Sequence, residues 1–110
     1  NMSWIDLKEV EEREIIPGYH VRFVHSENMT MAYWRVEAGA PIPEHSHPHE
    51  QILSLVDGEF ELTVGGETES LRAGAVVVIP PDAPHSGRAV TTCRIIDTFH
   101  PVREDFRSAT

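Results

Sequence analysis

Pro43-Glu44-His45-Ser46-His47-Pro48-His49-Glu50-Gln51 places three of the chain's seven histidines within five residues. On an extended backbone, residues two apart project to one face. His45 and His47 can therefore turn their imidazoles toward the same ion, and His49 and Gln51 share their parity. Glu50 has the opposite parity and points away unless a bulge follows Pro48. Taken alone, the run reads as well as a His-rich polar loop, or an adventitious metal-binding surface, as it does as a built site.

Outward from this run, period-two alternation recurs in short pieces at 19–25, 29–37, 51–56, 59–64, 75–79 and 92–99, bounded by Gly and Pro. That spacing predicts an all-β sandwich or barrel. Asp57-Gly58 and Gly65-Gly66 lie between alternating segments, where hairpins need residues that tolerate positive φ. Arg72-Ala73-Gly74 is a further corner. No helix follows Gly65-Gly66, so the pair is not read as a phosphate loop. Only 4–14 approaches a helical period, and it reads as a short helix or an irregular arm.

With 110 residues the chain supports one core, so we expect a single domain over 2–110 and set Asn1, ahead of Met2, aside as a remnant of cloning. A formal charge of -9 repels phosphate backbones and anionic lipid headgroups, which excludes nucleic acid and membrane as expected partners. An anionic substrate would then need a local positive centre, either a metal ion or a buried Arg. Cys93 is the only cysteine, so no internal disulfide forms and a cytoplasmic location is expected. It reads as a packed small hydrophobe rather than a nucleophile. The longest apolar run, 75–79, is too short to span a bilayer.

Two spacings decide between the readings of the His run. Gly39, five residues, His45-Ser46-His47, three residues, Gln51, six residues and Gly58 form the first. Gly74, five residues, Pro80-Pro81-Asp82, two residues and His85 form the second. Together they resemble the two motifs of the cupin superfamily, with Gln51 where that family usually has Glu, Asp82 in place of Gly and Ala89 in place of Asn. The resemblance implies a double-stranded β-helix, a jelly-roll barrel, with one divalent transition metal ion inside one end held by His45, His47, Gln51 and His85. His49 then lies behind the ligands or at the surface. Such nitrogen and oxygen donors suit Zn, Ni, Fe(II) or Mn(II). Because Gln51 stands for the carboxylate, the ion's charge is not offset, which favours Lewis-acid binding of an anionic substrate over oxygen activation.

In the last alternating segment Cys93, Ile95, Asp97 and Phe99 share a face, so an acid interrupts an apolar row. Pro48-His49-Glu50-Gln51, Ile79-Pro80-Pro81 and the set Asp97, Phe99, Pro101, Arg103-Glu104-Asp105-Phe106 resemble the small pectin-degradation cupins of the KdgF type, over about 28–106. That family converts 4,5-unsaturated uronate monosaccharides from the closed ring to the linear ketone. The resemblance implies Asp97 in proton transfer, Arg103 and Phe99 against the sugar, and a small anionic sugar as the partner molecule. The rival readings on the same scaffold are a metal-dependent dioxygenase and a sugar-binding module without turnover. Tyr33 and Trp34 lie on opposite faces of one strand, so one of them lines the barrel. His20, His25 and His100 fall outside the motif spacings. Small cupins commonly pair, and Trp4, Ile5, Leu7, Ile15 and Ile16 could supply the contact of a homodimer.

Overall fold

Along β10 (Cys93–His100), Cys93, Ile95, Asp97 and Phe99 are buried while Arg94 and His100 are exposed. Along β5 (Glu50–Asp57), Gln51, Leu53 and Leu55 are buried and Glu50, Ile52 and Val56 face out. The period of two has thus become one inner and one outer face. The computed structural model describes residues 2–107; Asn1 and residues 108–110 lie outside the described residues, and with them the C-terminal end of the domain expected over 2–110.

The remaining strands are β1 (Arg13–Ile16), β2 (Tyr19–His25), β3 (Thr30–Val36), β4 (Pro41–His45), β6 (Glu59–Val64), β7 (Glu67–Arg72), β8 (Val76–Ile79) and β9 (His85–Ala89), followed after β10 by one helical turn, α1 (Glu104–Arg107). They form two antiparallel sheets, one ordered β1-β2-β3-β10-β5-β8 and the other β4-β9-β6-β7. The main core, including Leu53, Leu55, Phe60, Leu62, Ile79 and Ile95, fills the space between them. Each such side chain contributes about 1.5–3 kcal/mol by leaving water. This two-sheet jelly roll is the all-β cupin barrel expected.

Two local expectations are corrected. The segment 4–14, expected as a short helix or an irregular arm, carries a short 3-10 helix at Leu7–Glu9, but its end is strand: β1 begins at Arg13 and pairs with β2. Ile15 and Ile16 are partly buried and pack against the cores, whereas Trp4 and Ile5 are exposed. Asp57-Gly58 is not a hairpin. β5 and β6 belong to different sheets, and the chain crosses between them there. Gly58 is required twice over: its φ is 96°, and a Cβ would clash with the Thr92 carbonyl oxygen. Gly65-Gly66 does close a two-residue hairpin, between Val64 and Glu67, with positive φ at both positions.

Candidate metal centre and active site

The site gathers at one end of the barrel, where both sheets contribute. His45 ends β4 and stands directly opposite His85 at the start of β9, while His47 lies in the loop that leads to β5. The ring centroids of His45 and His85 are 4.1 Å apart, and those of His47 and His85 are 5.0 Å apart. One nitrogen from each of the three rings lies within 4.8 Å of the others, so the triad could hold a metal ion. Gln51, on the facing sheet, turns inward and is 5% exposed. Glu50 points outward, as its parity required.

The hydrogen bonds around the rings fix which nitrogens are available. Nδ1 of His45 donates to the Pro43 carbonyl at 2.9 Å, Nδ1 of His47 to the His49 carbonyl at 3.0 Å, and Nδ1 of His85 to the Ala83 carbonyl at 2.8 Å. Each Nε2 therefore keeps its lone pair, the state a metal requires. Nε2 of His85 is buried with no hydrogen-bond partner among the described residues.

Gln51 sharpens the test. Its amide nitrogen donates to Asp97 Oδ1 at 2.8 Å, which leaves its carbonyl oxygen 3.0 Å from Nε2 of His47. Two lone pairs then face each other. Burial, with the Arg103 and His85 charges next, pushes His47 down to about 4, so no proton bridges them at neutral pH. A cation between them would satisfy both, and three imidazoles with one amide oxygen would suit a divalent transition ion. Burial likewise lowers His85.

Asp97 sits one hydrogen bond behind Gln51. Its Oδ2 accepts from the Trp34 indole at 3.0 Å. Burial raises its pKa to about 6, against the lowering effect of the Gln51 and Trp34 donors and of the Arg103 charge. Arg103 is also buried, its guanidinium 4.7 Å from the Phe99 ring centroid and 4.0 Å from that of Phe106. Its Nε and Nη2 donate to the two carboxylate oxygens of Asp105 at 3.0 and 2.7 Å. The Arg103 backbone N–H donates to the hydroxyl of fully buried Thr30 at 2.9 Å, which pins the C-terminal segment to β3.

His45, His47, Gln51, His85, Asp97, Phe99 and Arg103, every site residue read from the sequence, line one cavity of about 310 Å³. Trp34 joins them, and Tyr33 lies on the other face. Thr30 and Trp34 carried no motif, and inward parity was their only signal. His20 and His25 lie away from the triad: His20 is 2.7 Å from Glu37 on the surface and His25 bonds Thr30. Among the described residues, no helix is long and apolar enough to cross a membrane.

Comparison with known proteins agrees with this architecture. The cupin domain model matches residues 32–99. The pectin degradation protein KdgF of Dickeya dadantii is 29% identical over 94% of this chain and 89% of its own length. The structure of KdgF from Halomonas sp. superposes with a TM-score of 0.90 at 28% identity, covering 96% of this chain and 99% of that one. An RmlC-like cupin from Shewanella frigidimarina gives the same TM-score at 29% identity, covering 96% of both chains. The family model spans more than half of the chain and the barrel carries its histidines at one end, so the protein belongs to the cupin family and is KdgF-like among cupins.

Proposed function

We propose that the protein opens the ring of 4,5-unsaturated uronate monosaccharides, with His45, His47, Gln51 and His85 holding a divalent metal ion and Asp97 moving the proton. The observation that carries this reading is the convergence, in one cavity, of the imidazole triad, a buried carboxylate and a buried guanidinium. The likeness to two KdgF proteins over nearly the whole chain supports the choice of substrate class. Bound there, the metal supplies Lewis-acid stabilisation of negative charge on substrate oxygens.

Asp97 accepts the proton of the anomeric hydroxyl. The electron pair so released forms the C1 carbonyl as the bond from C1 to the ring oxygen breaks, which leaves an enolate across C4, C5 and the former ring oxygen. Asp97 returns its proton to C4, and the enolate becomes a ketone at C5. The sum is an isomerisation with no net oxidation. A carboxyl group raised to about 6 can both take and give a proton near neutral pH. Arg103 binds the substrate carboxylate through the guanidinium N–H groups that Asp105 leaves free, with the Phe99 and Phe106 rings beside its plane.

The test mixes purified protein with unsaturated galacturonate and follows loss of double-bond absorbance and appearance of the linear ketone by NMR, with and without a chelator and under anaerobic conditions. Ring opening that a chelator abolishes and that proceeds without oxygen is the outcome this reading requires. Oxygen uptake in place of ring opening would indicate a dioxygenase. Binding without turnover would indicate a sugar-binding module. We further propose that the exposed Trp4 and Ile5 serve a homodimer contact, to be read by sedimentation of the parent against Trp4→Ser.

A further inference from the structure

We infer that Trp34 is a positioning residue for Asp97, holding the carboxylate in the orientation that proton transfer needs; the inference rests on the ring-opening reading. Asp97 is the only buried carboxylate among the described residues, and no cation contacts it directly. Two neutral donors fix it instead, Gln51 on Oδ1 and Trp34 on Oδ2. Gln51 belongs to the proposed ligand set, so its amide is oriented from the metal side. Trp34 is the donor that holds the other oxygen independently of the metal.

The sheet register explains how the indole reaches. On β3, Trp34 stands opposite Ile95, and Asp97 stands opposite Ala32. Trp34 and Asp97 are thus diagonal neighbours on the inner face, a separation an aromatic side chain spans only when nothing large lies between. Ala32 supplies that gap: it is fully buried and carries a single methyl group. The indole cannot swing away, because Tyr19 and Phe23 contact it edge to face, with centroids 6.0 and 6.1 Å from its own. A Trp that only filled core would need some acceptor for its N–H. This one spends that N–H on the carboxylate facing the cavity.

Trp34→Phe keeps a ring against Tyr19 and Phe23 and removes only the donor. Its kcat should fall about 10- to 100-fold, with KM changed less than twofold and metal content unchanged. In an Asp97→Asn background the same change should cost less than a further twofold, because the group it positions is gone. A merely structural role would give independent, multiplying losses, and that result overturns the inference, as does a Trp34→Phe variant with the parent's kcat. A second readout needs no turnover. The chain has two tryptophans, and Trp4 is exposed, so the Trp34 indole N–H resonance is assigned by elimination. It should move upfield in Asp97→Leu in the zinc-loaded protein, and an unmoved resonance also overturns the inference. If the parent fails to open any unsaturated uronate, the ring-opening reading falls while the resonance still decides whether Trp34 holds the carboxylate.

Discussion

On β10 the inward side chains run Cys93, Ile95, Asp97, Phe99, and the β5 residues opposite the last three are Leu55, Leu53 and Gln51. Toward the site, β5 therefore passes from Leu55 and Leu53 to Gln51, and β10 passes from Ile95 to Asp97 and then to the Phe99 ring beside the Arg103 guanidinium. At the closed end the fold asks for volume and little else, and hydrophobic side chains of similar size can replace one another there. At the site end every buried polar group must find a partner, because an unsatisfied one costs about 1–3 kcal/mol. The contrast locates function: the inner face changes chemistry where the fold gains nothing from the change.

The strongest way to break that contrast is to change one polar side chain at the site end and ask what is lost. Asp97→Asn should lower kcat by about 10² to 10⁴-fold if Asp97 is the general acid and base. Metal content, read by elemental analysis, should match the parent. A variant as active as the parent would remove Asp97 from the mechanism. The converse change belongs at the closed end. Leu55→Ala, at a side chain 1% exposed, should cost about 2–5 kcal/mol in urea unfolding. Turnover per folded molecule should hold, since Leu55 does not line the cavity. Loss of turnover without loss of stability would mean that the two ends are not separable.

The two sheets were unequally legible in the sequence. Four of the six strands of the large sheet alternate clearly, because one face is core and the other is solvent, while β8 is apolar throughout although Val76 and Val78 are exposed. In the small sheet only β6 does. β4 carries Pro41 and Pro43, which are tolerated because it is an edge strand. β7, the other edge, is exposed at every position but Leu71. Such strands are specified by their neighbours rather than by their own pattern. His85 was nonetheless found there, through motif spacing and not through β9's own alternation. The Asp57-Gly58 corner was misread for a related reason, since a glycine with positive φ serves a hairpin and a sheet crossing equally well. The Trp34 to Asp97 bond joins positions 63 apart, and no local pattern encodes it.

Acid should separate the two ends more gently. His47 is held neutral by burial, its folded value about 4 against 6.5 in an unfolded chain. Its contribution is full above pH 6.5 and is lost as pH falls toward 4, up to about 3 kcal/mol. Asp97 has the opposite sign: raised to about 6 from 3.8, it weighs against folding above pH 6 and ceases to do so as it protonates toward pH 4. The two largely cancel in the parent. In chelator-treated protein, urea midpoints between pH 7 and 4 should therefore show His47→Gln gaining on the parent as pH falls and Asp97→Asn losing ground. Leu55→Ala should keep a constant offset. Parallel profiles for all four proteins would mean that neither group is perturbed as its surroundings require.

The smallest effect should come from the rim of the site. Asp105 closes two donors of the Arg103 fork, yet its side chain is 57% exposed, and solvent-exposed pairs contribute little. The guanidinium plane is held as well by Phe99 and Phe106, so removing the carboxylate leaves it stacked. Asp105→Asn should raise KM less than about threefold and leave kcat alone. Arg103→Lys, which loses both the planar fork and the stacking, should raise KM at least about tenfold. The ratio between the two measures how much of the arginine's orientation comes from the rings beneath it and how much from the acid at its edge. Equal losses would make Asp105 the principal support and Phe99 and Phe106 only its packing.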